Sequence, residues 1–381
     1  MMTGTPLHRI GAAIGPVVLL CGLAACAQTP PSDSGSPVGG QTSSSRAPVE
    51  KQALWSQGQF QQGVQLYWHH NPEHFNAAET RVIADRQLDY IESLGANSLG
   101  VTVPIFVDGA YPSTVYADSA ETPSVEELGV LLEAASERGF RVMLRPVIDE
   151  ANIGAESPGA WRGTIQPQDV DAWFRSYQAL LLDYVPLLEQ YGVDEYVIGV
   201  ELNSLEGYSD NWSALRAAIT DAGYHGILSY SRNWDSGTSD VPFDQLGLDF
   251  YPDTDLADDS TSAQVTDKLL ALLTEQPEAL RKRTTVQEVG IAALDGAYAR
   301  PSYWGDVPEP ERFNSQVQAN WFLGVCSAAR QAEMEGVYYW MLDKYEDTPN
   351  PDPDTQLPKS FVARPGEDAI RTCFADTATG N

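Results

Sequence analysis

The stretch VDAWFRSYQALLLDYVPLLEQYGVDEYVIGVE, residues 170–201, holds one complete helix-to-strand unit. Its first 22 residues repeat apolar side chains at spacings of three and four, which is typical of a helix with one buried face. Gly192 follows as a C-cap, and residues 196–200 form a short apolar run typical of a buried strand. That run ends on Glu201, a carboxylate that costs several kcal/mol to bury without a partner.

The same unit recurs on both sides of this stretch. Strand-like runs occupy residues 63–68, 98–103, 141–147, 196–201, 226–230, 246–251, 284–288 and 337–342. Helical patterns between them occupy residues 81–94, 124–138, 170–191, 212–222, 263–273 and 313–334, whereas residues 233–244 predict a loop with little helix. Eight strands with mostly helical crossovers predict an α/β fold, a single-domain (β/α)8 barrel over residues 51–381.

The N-terminal segment predicts a lipid-anchored protein outside the cytoplasm. A short basic segment precedes the apolar stretch 10–20, and Leu-Ala-Ala then leads into Cys26, which resembles a bacterial lipobox. We expect residues 1–25 to be a signal peptide, Cys26 to be lipidated, and residues 26–50, rich in Ser, Gly and Pro, to be a flexible tether to the bacterial cell membrane. An uncleaved membrane helix is the alternative, but the apolar stretch is short for one.

Charge limits the class of partner. Acidic residues outnumber basic ones 53 to 23, so the net charge is −30. Such a chain disfavours nucleic acid and other polyanions and suits a neutral substrate, although a solvated acidic surface accounts for most of the excess.

Two cysteines remain once the N-terminal segment is set aside. Cys326 and Cys373 each fall in a late predicted helix. In an oxidising compartment we expect a disulfide between them, with two buried free thiols as the alternative.

Residues at the C-terminal ends of the predicted strands would converge on one mouth of the barrel. These ends carry aromatic rings, carboxylates and hydrogen-bonding groups: Trp68, Arg145, Glu201, Asn233, Trp234, Asp235, Tyr251, Glu288 and Trp340. Sugars need this mixture, and two carboxylates at such a mouth are the machinery of glycoside hydrolysis. The alternative is that each glutamate pairs with an arginine inside a packed barrel.

We expect neither a metal site nor a cofactor. His69, His70 and His74 are clustered, but their spacing does not place two ligands on one helix face. The acidic segment 343–354 could bind calcium, yet a solvated loop is the expected structure. No phosphate-binding glycine loop follows the first strand.

Eight short motifs follow one another at barrel spacing. They are LGANSLGVTVP (94–104), VMLRP (142–146), WRGTI (161–165), IGVEL (198–202), LSYSRNW (228–234), LGLDFYP (246–252), VQEVG (286–290) and VYYW (337–340). In this order they resemble the clan-A glycoside hydrolases, and most of all glycoside hydrolase family 113, over roughly residues 60–373.

The resemblance implies a retaining β-glycosidase of the β-1,4-mannanase kind, acting on a polysaccharide or oligosaccharide. Glu201 takes the role of acid/base and Glu288 that of nucleophile, with Tyr251 hydrogen-bonded to the nucleophile. Trp340 would be a sugar platform. The substrate-binding set is Trp68, Arg145, Trp161, Arg162, Asn233, Trp234, Tyr251 and Trp340. For Arg145 and Arg162, structural salt bridges are the alternative.

The substrate is less tightly implied than the reaction. Many clan-A enzymes have Asn directly before the acid/base, where it touches the sugar 2-hydroxyl, and this chain has Val200 there. A glycosidase for another β-glycan or an envelope glycan therefore stays open, as does a non-catalytic surface lipoprotein that binds glycan. A retaining mechanism requires the two carboxyls to be about 5–5.5 Å apart, and a gap of about 6.5–9.5 Å would indicate inversion.

Overall fold

The computed structural model describes residues 53–72, 76–237, 241–303, 312–352 and 356–375. The expected signal peptide, the lipidation site Cys26 and the tether lie outside the described residues, as does His74.

Nine strands form one sheet. They are β1 Gln61–Tyr67, β2 Ser98–Val107, β3 Val115–Tyr116, β4 Arg141–Ile148, β5 Glu195–Val200, β6 Ile227–Asn233, β7 Gln245–Asp249, β8 Thr284–Val289 and β9 Gly336–Asp343. Eight of them are parallel and run in the order β1-β9-β8-β7-β6-β5-β4-β2, and β2 pairs back onto β1 to close the barrel. The short β3 is antiparallel to β2 and lies outside this ring.

Helices surround the barrel. They are α1 Ala77–Ser93, α2 Val125–Arg138, α3 Ala151–Glu156, α4 Val170–Tyr191, α5 Ser209–Asp221, α6 Ser262–Leu273, α7 Glu278–Arg281, α8 Ser315–Gln331 and α9 Pro365–Ala375. Side chains of Asn76, Ser124 and Asp169 cap the N-termini of α1, α2 and α4. Gly139 and Gly192 end α2 and α4 in the left-handed conformation that glycine adopts without steric cost.

The (β/α)8 architecture predicted from the sequence is confirmed. Each of the eight predicted strands overlaps one barrel strand, and the described residues between β6 and β7 contain no helix, as expected for the fifth unit. The predicted helix 313–334 is shorter in the structure, because α8 begins only after Asn314, whose side chain caps it.

Two arginines of β4 lie inside the barrel, four residues apart along the strand. Arg141 pairs with Glu195 at 2.6 Å near the N-terminal end of the strands. Arg145, four residues further along the same face, is fully buried nearer the C-terminal end. The barrel interior therefore holds charged layers that are neutralised by pairing, and the upper one lies directly beneath the mouth.

A disulfide joins α8 to α9 through Cys326 and Cys373, with the two Cα atoms 6.0 Å apart. Both residues are buried in the helical layer. The final helix is thereby attached covalently to the helix that precedes β9. Among the described residues, no helix has both the length and the apolar character that a membrane crossing requires.

Candidate active site

A cavity of about 640 Å³ opens at the C-terminal ends of the barrel strands. Its lining combines carboxylates, amides, one arginine and three indole rings: Glu150, Trp161, Arg162, Glu201, Asn203, Asn233, Trp234, Asp235, Tyr251, Asp253, Glu288, Ser302 and Trp340. The lining residues lie near the C-terminal ends of β4, β5, β6, β7, β8 and β9 or in the loops that follow them. The strand ends thus meet at one site, as a closed parallel barrel requires.

Glu201 is the first residue after β5 and is 8% exposed. Its φ of 52° lies in the left-handed region, which a non-glycine residue adopts rarely. Arg162 Nη1 donates to Glu201 Oε2 at 2.7 Å, and Asn233 Nδ2 donates to Oε1 at 3.2 Å. Both carboxyl oxygens are therefore oriented by neighbouring side chains.

The surroundings of Glu201 favour its protonated form. Burial raises the pKa of Glu201, the positive charge of Arg162 opposes that rise, and the nearby Glu288 carboxylate adds to it. A carboxyl whose pKa is raised retains a proton at higher pH than an ordinary glutamate. Such a group is suited to general acid catalysis.

Glu288 lies near the end of β8 and, like Glu201, has a hydrogen-bond donor and an arginine beside it. The Tyr251 hydroxyl donates to Glu288 Oε1 at 2.7 Å, and Arg145 Nη1 lies 2.6 Å from Oε2. Hydrogen-bond donors and a cation stabilise the negative charge of a carboxylate. Each glutamate of the cavity thus has one neutral hydrogen-bond donor and one arginine beside it.

Arg145 is anchored beneath the cavity by a second acid. Its Nη2 lies 2.6 Å from Oδ2 of Asp249, which is fully buried and also accepts a hydrogen bond from Ser231 at 2.6 Å. Asp249 therefore fixes the guanidinium that contacts Glu288. Asp249 ends β7 in the sequence Gly-Leu-Asp-Phe-Tyr, and the carboxylate that ends an apolar run was the signal by which it could have been found.

Three indole rings border the cavity. Trp340 of β9 lies with Tyr67 in an edge-to-face contact, ring centroids 6.1 Å apart. Trp161 precedes Arg162 in the loop after β4, and Trp234 follows β6, where its ring meets Phe250 edge-on at 6.1 Å. The cavity thus offers flat apolar faces beside carboxylates and amides.

The family model for Glycoside Hydrolase Family 113 matches residues 68–354, which is more than half of the chain. The chain belongs to Glycoside Hydrolase Family 113. The resemblance drawn from the sequence motifs is confirmed, and the protein is a glycoside hydrolase whose substrate is a polysaccharide or oligosaccharide. No curated protein sequence matches the chain.

Solved structures show the same fold. The β-mannanase AaManA of family 113 from Alicyclobacillus acidocaldarius superposes with a TM-score of 0.67 at 18% identity, over 85% of this chain and 99% of that one. A family 113 β-1,4-mannanase matches with a TM-score of 0.64 at 20% identity, over 84% of this chain and 99% of that one. A β-D-glucuronidase from Dictyoglomus thermophilum matches with a TM-score of 0.55 at 12% identity, over 83% of this chain and 50% of that one.

Two residues predicted to bind substrate in this family 113 enzyme lie elsewhere. Trp68 is fully buried in the hydrophobic core, with Lys344 Nζ 4.4 Å from its ring, because it leaves β1 pointing into the protein. Arg145 is also fully buried, so it contacts the Glu288 carboxylate rather than the cavity. For Arg145 the salt-bridge alternative is the one observed.

The other predicted residues line the cavity of the hydrolase. Trp161, Arg162, Asn233, Trp234, Tyr251 and Trp340 all belong to its wall together with Glu201 and Glu288. Arg162 is at once a wall residue and an ion-pair partner, so the two interpretations of it hold together.

Four polar residues of the wall were not predicted from the sequence: Glu150, Asn203, Asp253 and Ser302. Glu150, at the start of α3, lies 3.3 Å from Arg162 Nη2. Asn203, two residues after Glu201, has a buried Oδ1 that finds no hydrogen-bond partner among the described residues. Glu150 comes two residues after β4 and Asn203 three residues after β5, and this closeness to a strand end was the available signal.

Among the residues that the structure covers, no group of three His, Cys, Asp or Glu side chains could hold a metal ion. His69 and His70 instead pair with Asp343 and Glu127. These two histidines therefore contact carboxylates near the rim of the barrel.

Proposed function

We propose that this family 113 hydrolase cleaves β-1,4-mannosidic linkages in mannan-type polysaccharides with retention of configuration. The observation that carries the proposal is one cavity that holds two mostly buried glutamates, each contacted by a hydrogen-bond donor and an arginine. Glu201 has a raised pKa and lies beside Arg162 and Asn233, whereas Glu288 accepts from Tyr251 and pairs with Arg145. Retaining glycosidases need one protonated and one ionised carboxyl at the same pH.

In the first step Glu288 attacks the anomeric carbon, and Glu201 gives its proton to the departing glycosidic oxygen. A covalent glycosyl–enzyme ester results, and Glu201 is left as a carboxylate. In the second step Glu201 takes a proton from a water molecule, whose oxygen attacks the anomeric carbon and releases Glu288. Tyr251 and Arg145 stabilise the Glu288 carboxylate both before attack and as it departs.

The wall of the cavity supports a sugar substrate. Trp340, Trp161 and Trp234 offer ring faces to the C–H surfaces of sugar rings, and Asn203 and Asn233 offer amides to hydroxyls. Mannan as the substrate comes from the two family 113 relatives, which are a β-mannanase and a β-1,4-mannanase. Since Val200 is buried among apolar side chains, a contact to the 2-hydroxyl has to come from another residue of the wall.

We also propose that the enzyme works outside the cytoplasm on a lipid anchor at Cys26. The order of basic segment, apolar stretch and Leu-Ala-Ala-Cys supports this location. The disulfide between Cys326 and Cys373 is compatible with an oxidising compartment.

The direct test is hydrolysis of a polysaccharide panel by the full chain in detergent. We expect reducing ends from β-mannan, galactomannan and glucomannan, and a loss of about 10³-fold or more in kcat for Glu201→Gln and for Glu288→Gln. Cellulose oligomers and xylan serve as controls for linkage and sugar. Release from cellulose or xylan but not from mannans would contradict the mannanase proposal, and full activity of either variant would contradict the two-glutamate mechanism.

A further inference from the structure

The guanidinium of Arg162 is held from three sides. Its Nε donates to the carbonyl oxygen of Ile148 at 2.9 Å, and Nη1 donates to Glu201 Oε2 at 2.7 Å. On the remaining side, Nη2 lies 3.3 Å from Glu150 Oε1, which also accepts from the Arg162 backbone N–H at 3.5 Å. One cation thus lies between two carboxylates, one deep in the cavity and one at its rim.

This arrangement creates a conflict for a general acid. An arginine 2.7 Å from a carboxyl favours the anion, yet Glu201 must carry a proton when the glycosidic bond breaks. If Glu201 takes that proton, the half-buried Arg162 loses its nearest counter-charge. A buried or half-buried cation without a partner is costly, so a second anion is needed to hold the arginine in that state.

We propose that Glu150 is a positioning residue that holds Arg162 and, through it, governs how readily Glu201 takes up and releases its proton. The inference rests on the proposed acid/base role of Glu201. When Glu201 is protonated, Glu150 remains as the partner of the guanidinium. When Glu201 is ionised after the first step, Arg162 is already in place to stabilise the new carboxylate.

Glu150 is suited to this role by its place in the fold. Glu150 follows β4 and immediately precedes α3. Its carboxylate reaches Arg162 across the segment 151–161, which contains α3. Its side chain is 41% exposed, against 11% for Glu201, so water reaches the Glu150 carboxylate. The connection between β4 and α4 therefore supplies both the cation beside Glu201, Arg162, and the anion that compensates it, Glu150.

Other charged groups also face Glu201, and they come from four elements. These groups are Arg162 from the loop after β4, Arg145 from β4, Glu288 from β8 and Asp249 from β7. The Tyr251 hydroxyl, after β7, is also near. Arg145 and Asp249 pair with each other, and Glu288 is required for the reaction. Glu150 is thus a charge near Arg162 that can be removed without deleting a reacting group.

The test is the pH profile of kcat/KM, whose alkaline limb reports the general acid of the free enzyme. Loss of the Glu150 charge leaves Arg162 free to stabilise the Glu201 anion, so the limb of Glu150→Gln should move to lower pH by about 0.5–1 unit. Arg162→Gln should move the limb to higher pH, and Glu150→Asp, which keeps the charge, should restore it toward the wild-type position. Glu156→Gln removes an exposed charge from the same loop and should leave the limb in place.

A second readout does not depend on turnover. The titration of the Glu201 carboxyl, followed by ¹³C NMR and assigned by its absence in Glu201→Gln, should shift to lower pH in Glu150→Gln. An unmoved or upward shift in both readouts would overturn the inference. A separate experiment tests the acid/base role of Glu201. Azide should restore the turnover of an activated aryl glycoside by Glu201→Ala. Failure of that rescue would contradict the acid/base assignment, independently of the result for Glu150.

Discussion

At the scale of single residues, the site keeps two acids close together in a mostly buried place. Glu201 and Glu288 are each 8% exposed, and beneath them the fully buried Arg145 joins Glu288 to Asp249. Burial of so many carboxyls is tolerable only because cations and donors meet them. Burial raises the pKa of Glu201 and raises that of Asp249 further, so both carboxyls keep a desolvation cost that their partners do not fully offset.

This cost predicts a trade between stability and activity at Glu201. Because the pKa of Glu201 is raised in the folded state, the folded chain binds its proton more tightly than the unfolded chain. The resulting stabilisation is fully present below the unfolded value, near 4.5, and is lost as pH rises through the folded value. A glutamine at this position does not titrate, so Glu201→Gln does not lose stability in this way as pH rises.

Glu201→Gln should therefore gain stability relative to wild type as pH rises from about 4.5, by on the order of 1 kcal/mol, the usual size of a single-site change. Urea unfolding of both proteins across pH 4–8 measures the difference. The exposed Glu156→Gln removes a carboxylate that does not line the cavity and serves as the matched control. If the unfolding free energy of Glu201→Gln falls relative to that of wild type as pH rises, the prediction is contradicted.

The sequence could identify both glutamates because a carboxylate that ends an apolar run is rarely an accident. It could not tell which strand-end side chains turn into the mouth. Trp68 comes directly after β1 and Trp340 lies in the C-terminal half of β9, yet Trp68 is fully buried in the core and Trp340 lines the cavity. Side-chain direction at the end of a strand depends on local bends in the backbone, which residue type alone does not encode.

At the scale of elements, the helical layer closes through a covalent link. The disulfide between Cys326 and Cys373 spans 47 residues and ties α9, the last described helix, to α8. In the chain-entropy account, closing a loop of this length restricts the unfolded chain and stabilises the fold by about 4 kcal/mol, with 2–4 kcal/mol the usual measured range.

The double variant Cys326→Ser/Cys373→Ser should therefore lose about 2–4 kcal/mol of unfolding free energy. Thermal unfolding with and without reductant measures this. Reductant should lower the Tm of the wild type toward that of the variant and leave the variant unchanged. A wild-type Tm that is insensitive to reductant, with complete reduction shown by thiol counting, would contradict the prediction.

The strands and most helices followed from periodicity, whereas the loop after β4 did not. Apolar spacing predicts which segments are buried, and the glycines after residues 94, 138 and 191 marked helix ends. The loop that carries Glu150, Trp161 and Arg162 to the site has no such repeat. Its α3 and the contact between Glu150 and Arg162 depend on tertiary packing.

At the scale of the whole molecule, the proposed lipid anchor would attach the barrel to a membrane. The anchor is a prediction from the order Leu-Ala-Ala-Cys26. Cys26→Ser, expressed in a bacterial host with lipoprotein processing, should move the protein from the membrane fraction to the soluble extracytoplasmic fraction. Mass spectrometry of the wild-type N-terminal peptide should find a diacylglyceryl Cys26. A wild-type chain that is recovered soluble and unmodified would contradict the anchor.

Glu288 is proposed to form a covalent bond to the sugar, while Glu201 donates and later accepts the proton. The most direct measurement is to incubate the full chain with an activated 2-deoxy-2-fluoro-β-mannosyl fluoride, which slows the second step, and to map the labelled peptide by mass spectrometry. We expect one added fluoromannosyl group per chain, on Glu288, and none in Glu288→Gln. Turnover of mannan without any trapped ester, or a label on a different carboxylate, would contradict the account.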